Sequence, residues 1–504
     1  MLTRLCVNKL CIMNYELNKD FVNAHLNDDV NKLALSKFPE DIDKQFVIRQ
    51  IQARQLLKKK LPSWSENDEL LFPRRLSLEQ CSSELTARYK SFLTTNPHES
   101  TRIEISVDSR KLVDETKTTN PHESPRKISA DSCQLVDETK TTNPHESTRT
   151  DISADSCQLV DRTKTTNPHE STRKISADSR QLVDETKTLV DLTGGMGVDT
   201  SFLSDNFDET IYVESQEELC ELTRHNFKVL GKNITVVNDK AEDFLERCPE
   251  VDCIYLDPAR RDEYGRKMVS LHDCSPDAAE LQDLLLKKAK TVMIKLSPML
   301  DIDIIKKELK NIKEIHIVAV RNECKEVLVV LRQQTTDNGQ QTSSKVCPQL
   351  ITKDLREDWN FTFTEDEEHQ AQWTLADSIG KYLYEPGVAC MKAACFKLLS
   401  QRFNLNKLHR NSHLYTSDEL VADFPGRIFE VIGVFPFDKK IKNNCSQLTA
   451  QSSKASIAVR NFPLIAEQLR KQLGFKDGDD LYIFGTTTKG DKKVVIVTMK
   501  INNV

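Results

Sequence analysis

No stretch of this sequence has the length and apolarity of a membrane-spanning helix. Its longest apolar runs, IKEIHIVAV and KKVVIVTM, have strand length, whereas a spanning helix needs roughly 18–20 residues. There is no CxxC pair among the 14 cysteines, and the closest pairs, Cys6/Cys11, Cys248/Cys253 and Cys390/Cys395, lie five apart. Disulfide frameworks and zinc sites need convergent spacing, so reduced thiols, a cytoplasmic setting and no metal are expected. The first residues, MLTRLCVNKLCIMNYE, lack an unbroken apolar stretch because Arg4 and Lys9 interrupt it, which speaks against a secretory signal. Met13 is read as an alternative start. A positive net charge is also missing: the formal value is −6, against a wholly basic nucleic-acid binder, and no DNA partner is expected.

What is present begins with a repeat. NPHES recurs at Asn96, Asn120, Asn143 and Asn167, at intervals of 24, 23 and 24 residues. The copies are nearly identical even at polar positions, which points to recent duplication rather than to a solenoid with a preserved core. Each unit offers one Ile and one Leu-Val pair among about twenty polar residues, too few to offset the entropy of ordering. Residues 94–187 are therefore expected to be a disordered insertion, and His98, His122, His145 and His169 are set aside as catalytic or metal candidates.

From Leu189 the pattern changes. Strands read at TLVDL, TIYVES, ITVVND, VDCIYLD and TVMIKLS, with helices between and after them at FLSDNF, QEELCELTRHNFKVLG, AEDFLER, PDAAELQDLLLKKA and DIIKKELK. Such alternation predicts a parallel, doubly wound α/β sheet. IKEIHIVAV and EVLVVLR then follow with only a turn near Asn322 between them, predicting a terminal antiparallel hairpin. That ending resembles the seven-stranded, Rossmann-like class I methyltransferases rather than the dinucleotide dehydrogenases.

Strand one runs into DLTGGMGVD, where Asp191, Thr193, Gly194, Gly195 and Gly197 form a glycine-rich turn that lets backbone approach a ligand. The spacing differs from GxGxxG and resembles the first methyltransferase motif, with Asp191 facing the cofactor's amino-acid end. Glu214 closes strand two, where an acid can accept from ribose hydroxyls, and Asp239 follows strand three, where one can accept from the adenine amine. A lone acid after a strand is ordinarily a helix cap. Three at consecutive strand ends, behind a glycine turn, point to a nucleoside cofactor at the switch point, and the resemblance to the methyltransferase motif implies that it is S-adenosyl-L-methionine.

Strand four ends in Asp257-Pro258-Ala259-Arg260-Arg261, in the place where nucleic-acid amino-methyltransferases carry D/N-P-P-Y/F. Ala259 and Arg260 depart from that motif, so amine methylation stays open, although arginine can stack on a base or pair with phosphate. Lys295, in KLSP after strand five, is a candidate substrate contact or a plain surface lysine, and the absence of cysteine there disfavours pyrimidine C5 chemistry. The catalytic candidates are Asp257, Pro258, Arg260 and Lys295.

Taken together, LPSW (61–64), LSLEQCSSELTARYK (76–90), DLTGGMGVD, LDPARRDEYGRK (256–267) and KLSP resemble the Bacteroidetes-type class I methyltransferases with a C-terminal THUMP-like domain. The resemblance implies an N-terminal helical domain over 1–93, a methyltransferase domain over 188–333, a linker and ferredoxin-like segment over 334–425, and an α+β THUMP-like domain over 426–504. It also implies RNA, a tRNA or rRNA base, as the substrate. From Lys381 to Val504 there are 19 Lys/Arg against 11 Asp/Glu, among them Arg427, Lys439, Lys440, Lys442, Lys454, Arg460, Lys489, Lys492 and Lys493. Two other readings remain: a protein or small-molecule methyltransferase, and a non-catalytic RNA-binding protein with a vestigial pocket.

Overall fold

The computed structural model describes residues 18–95, 186–260, 270–333, 347–448, 454–478 and 481–501. The alternative start at Met13, the repeats with their histidines, Arg261 and the side chain of Arg260 lie outside the described residues.

The N-terminal part is helical, with helices over 18–24, Val30–Leu35, Lys44–Leu57, Pro62–Ser65, Arg75–Gln80 and Glu84–Thr95. Short acids start two of them: Asp29 accepts from the N–H groups of Asn31 and Lys32, and Asp43 from that of Phe46. Arg54, buried in the Lys44–Leu57 helix, donates to the carbonyls of Ser65, Asn67, Asp68 and Leu70 and so fixes the irregular chain between the later helices. These helices share one apolar cluster with the glycine turn: Leu57, Leu61, Trp64, Phe72, Leu78 and Ala87 pack with Met196 and Val198. Asn226 adds a polar dock by exchanging both hydrogen bonds with the backbone of Leu71 (2.9 and 2.8 Å).

The central sheet is built from β1 (Thr188–Asp191), β2 (Glu209–Glu214), β3 (Thr235–Asn238), β4 (Val251–Leu256), β7 (Ala289–Leu296), β8 (Ile312–Val320), β9 (Glu323–Arg332), β10 (Gln349–Asp354) and β11 (Trp359–Thr364). Two-residue strands β5 (Ala259–Arg260) and β6 (Cys274–Ser275) pair as a separate ribbon. The order is β11-β10-β8-β9-β7-β4-β1-β2-β3. β3, β2, β1, β4 and β7 are mutually parallel, and β9 is antiparallel to both neighbours. Strand order reverses at β1, opening the crevice between β1 and β4 where α/β sheets bind ligands.

The seven expected strands are all present, and two more extend the sheet to nine. β10 adds to β8 in parallel and β11 returns antiparallel, so part of the expected 334–425 linker is catalytic-domain sheet. The helix expected at FLSDNF begins earlier, at Val198, because Gly197 (φ +78°) turns the chain into it.

A second sheet holds β12 (Tyr382–Pro386), β13 (Asn406–Lys407), β14 (Tyr415–Ser417), β15 (Gly426–Pro436), β16 (Ser456–Arg460), β17 (Tyr482–Thr487) and β18 (Lys493–Lys500) in the order β13-β14-β12-β15-β18-β17-β16. β12 pairs directly with β15 from Tyr382↔Glu430 to Pro386↔Gly426, so the two C-terminal segments share one continuous sheet.

Candidate active site

The turn after β1 is held by its own polar groups. Asp191 is buried; its Oδ1 accepts from the Thr193 N–H (3.0 Å) and its Oδ2 from the Thr200 hydroxyl (2.5 Å). Burial pushes its carboxyl up to about 7, against these two hydrogen bonds and helped by the charges of Asp199 and Asp257. The Thr193 hydroxyl in turn accepts from the Asp257 N–H (2.6 Å), tying the end of β1 to the end of β4.

The three glycines are needed for different reasons. A Cβ at Gly194 would lie 2.1 Å from the Tyr212 ring. Gly195 has φ +54°, and its N–H donates to Glu214 Oε2 (3.0 Å) while its carbonyl accepts from the Tyr212 hydroxyl (2.6 Å). A Cβ at Gly197 would lie 2.6 Å from Thr223 and 2.9 Å from Phe227, so this glycine admits the Glu217–Val229 helix and does not line the cavity.

A cavity of about 1160 Å³ opens at the switch point. One side carries Asp191, Thr193, Gly194, Gly195 and Glu214; the other carries Asp257, Pro258 and Lys295, with Ser297 and Pro298 beyond. Glu214 Oε1 accepts from the Gln216 N–H (2.9 Å) and the Ser215 hydroxyl (3.1 Å). Asp239 is not part of this wall. Its carboxylate pairs with Arg247, and the neighbouring lining comes from Lys240, Ala241 and Glu242. Of Arg260 the described part is backbone, paired to Cys274 across the β5–β6 ribbon.

Lys295 and Asp257 form an ion pair facing the cavity. Burial alone would depress the Lys295 ammonium, but the carboxylates of Asp257, Asp199 and Glu326 outweigh it and hold the group above its ordinary value.

Behind this pair lies a group of residues that sequence reasoning missed. Lys90, fully buried in the Glu84–Thr95 helix, donates to both oxygens of Glu326 (2.8 and 3.0 Å) and to the Ser82 hydroxyl (3.1 Å), and lies 3.3 Å from Asp199 Oδ1. Asp199 Oδ2 accepts from the hydroxyls of Tyr255 (2.6 Å) and Ser82 (2.7 Å). Burial raises Asp199, yet Lys90, Lys295 and these hydroxyls together hold it below the ordinary carboxylate range, whereas burial wins at Glu326. The N-terminal domain also walls the cavity directly, through Leu76, Ser77, Glu79, Gln80, Cys81 and Ser82. Asp199 sits just beyond the glycine turn and could have been suspected; Lys90 carries no local signal.

The C-terminal cations are less available than their number suggests. Arg427 and Arg460 both donate to the buried Glu385, and Lys489 pairs with Asp377.

Among solved structures, the chain is similar over 98% of its length to a candidate methyltransferase from Porphyromonas gingivalis W83, covering 99% of that chain at 27% identity and TM-score 0.70. An rRNA methylase from Streptococcus thermophilus overlaps 30% of this chain and 89% of its own, at 17% identity and TM-score 0.24. A candidate class I S-adenosylmethionine-dependent methyltransferase from Listeria monocytogenes overlaps 33% of this chain and 58% of its own, at 12% identity and TM-score 0.25. No curated protein matches the chain. Residues 382–425 match the ferredoxin-like domain family and residues 426–500 the THUMP domain-like family. Sheet order, domain order and full-length similarity make the chain a methyltransferase-like α/β protein that ends in a ferredoxin-like and a THUMP-like domain.

Proposed function

We propose that this chain transfers the methyl group of S-adenosylmethionine to a base of RNA, a tRNA or rRNA, in the cytoplasm. The observation that carries the reading is one cavity with a cofactor-type half and an acceptor-type half. Single-ligand pockets run to roughly 1,000 Å³, and about 1160 Å³ leaves room for a second reactant beside the cofactor.

The residues present fit the cofactor. Gly194 and Gly195 line the cavity, and their close approach to Tyr212 and positive φ let the turn present backbone to a ligand there. Glu214 spends three acceptor positions on Gly195, Ser215 and Gln216, and a carboxylate offers about four, leaving capacity for a ribose hydroxyl. Asp191 supplies negative charge for an α-ammonium at the same wall. Asp239 lies outside the cavity lining, paired with Arg247, and is not assigned to the adenine.

S-adenosylmethionine, when bound, supplies an electrophilic sulfonium methyl. The protein's part is then mainly orientation. Asp257 accepts a hydrogen bond or proton from the attacking atom, while Lys295 holds that carboxylate in place and adds positive charge for an anionic acceptor. The THUMP-like residues 426–500 support RNA as the substrate class. Among the described residues no helix is long and apolar enough to cross a membrane.

The test is transfer of tritiated methyl from S-adenosylmethionine to unmodified tRNA and rRNA transcripts, beside calorimetry of cofactor binding to wild type, Gly195→Arg and Glu214→Ala. Label in RNA, with binding lost in the two variants, is the expected result. Label only in protein or small molecules would overturn the RNA assignment, and a folded wild type that binds no cofactor would overturn the methyltransferase reading.

A further inference from the structure

We propose a second ligand site, for the phosphate and base of a nucleotide, in a pocket of about 300 Å³ where the two sheets meet. It shares no lining residue with the cofactor cavity. The inference deepens the RNA reading and rests on it only for where the nucleotide comes from.

The pocket begins at the β8–β9 turn. Arg321 and Asn322 both have positive φ (+53° and +58°), the backbone of a tight hairpin that usually selects Asn-Gly. The conformation is held by Asp354, fully buried, whose carboxylate accepts from the N–H groups of Arg321 (3.2 Å), Asn322 (2.7 Å), Arg356 (3.0 Å) and Glu357 (3.3 Å). Four amides absorb that charge, and the Arg321 side chain is left at the exposed rim. The opposite wall is formed by the start of β15 and the end of β18, where Ile501 N–H donates to the Ile428 carbonyl (2.9 Å) and brings Lys500 to the rim.

Trp359, first residue of β11, also lines the pocket. Its ring is fixed at one edge by Gly387, where a Cβ would lie 2.2 Å from Cζ2. Of the three lining cations, Arg427 is committed to Glu385. Arg321 and Lys500 are exposed and have no carboxylate partner among the described residues. A pre-positioned indole beside two uncommitted cations is what a base with its phosphate requires: the ring stacks and the cations pair with the phosphate oxygens. The exposed Glu357 is the remaining acid of the rim and can accept from a base N–H, such as N3–H of uracil. The volume, at the small end for ligand pockets, suits one nucleotide unit.

The experiment uses the full chain with saturating S-adenosylhomocysteine, which fills the cofactor half of the large cavity, and the double variant below separates binding at this pocket from binding in the acceptor half. Uridine 5′-monophosphate and uridine are compared by calorimetry on wild type and on Arg321→Glu/Lys500→Glu, whose melting temperature checks the fold. The monophosphate should bind at least about tenfold more tightly than uridine, and the double variant should lose about tenfold. Equal binding of the two probes, no binding, or an unaltered double variant overturns the proposal. Trp359→Phe should weaken the monophosphate and uridine alike. A labelled oligoribonucleotide distinguishes the sources: weaker RNA binding by the double variant assigns the nucleotide to RNA. Unchanged RNA affinity with lost monophosphate binding assigns the site to free nucleotides. A wild type that binds the monophosphate but no RNA supports the site and counts against RNA as substrate.

Discussion

Replacing Lys90 by methionine should cost about 3–5 kcal/mol at neutral pH, the range for removing one partner from a buried ion pair. The side chain is fully buried, and its ammonium serves two carboxylates at once, Glu326 at 2.8 and 3.0 Å and Asp199 at 3.3 Å. Methionine keeps the volume and deletes the charge, so packing loss is small and the effect is electrostatic. The pH dependence carries the sharper test. In wild type Asp199 is held low, so its stabilising contribution is present above its unfolded pKa and is lost as pH falls through the depressed folded value. Glu326 is already raised by burial, with Lys90 the largest opposing influence. Without Lys90 both carboxylates rise, the folded variant binds protons more readily than its unfolded chain, and it loses ground as pH increases. The deficit against wild type should therefore be widest near about pH 7–8 and shrink toward about pH 5. Urea denaturation followed by tryptophan fluorescence across that range measures it. Glu326→Leu in the Lys90→Met background should recover about half of the deficit, since Asp199 keeps the Ser82 and Tyr255 hydroxyls. A deficit under about 1 kcal/mol at pH 7, or one that does not change with pH, would refute the reasoning.

Three further outcomes are expected. Gly194→Ala should lower stability by about 1–3 kcal/mol or more, because its methyl would sit 2.1 Å from the buried Tyr212 ring, and a thermal melt identical to wild type would contradict this. S-adenosylhomocysteine should bind more tightly as pH rises through about 7, since the Asp191 carboxyl, raised chiefly by burial, must give up its proton beside an α-ammonium. Calorimetry in two buffers of different ionisation enthalpy should show proton release below that pH, and Asp191→Asn should abolish it; release that persists in the variant assigns the proton elsewhere. Asp257→Asn should leave S-adenosylhomocysteine affinity within about twofold and reduce methyl transfer by about a hundredfold or more, while undiminished transfer removes Asp257 from the chemistry.

Much of the catalytic domain could be read from local pattern. Strand–helix alternation gave the parallel strands, and the lack of a helix between IKEIHIVAV and EVLVVLR gave the antiparallel β8–β9 pair. DLTGGMGVD, Glu214, Asp257 and Lys295 were visible because strand ends at a switch point converge by topology. What pattern could not supply is which way a side chain turns. Gly194, Gly195 and Gly197 read as one cradle but answer to Tyr212, to a positive φ and to Thr223 with Phe227, respectively. Asp239 read as an adenine contact and lies outside the cavity lining, paired with Arg247; Arg427 and Arg460 read as part of a basic surface and both donate to Glu385.

The remaining features depend on partners distant in sequence. QLITKD and WNFTFT are short and mixed in polarity, and become strands because β10 finds the open edge of β8. Lys90 lies in ELTARYKSFL, where a lysine ordinarily faces water, and its burial follows from Glu326, 236 positions later. The same is true of the cavity's outer wall. Residues 76–82 carry no motif of cofactor or acceptor chemistry, yet most of them line the same cavity as Asp257 and Lys295. They are held there by the Trp64–Leu78–Met196 cluster and by Ser82 bonded to Asp199. The N-terminal helices thus line the cavity and are not an appended domain, and on the proposed reading they belong to its acceptor half. Changes at exposed Leu76 should therefore alter acceptor choice while leaving the cofactor wall, built on β1 and β2, untouched.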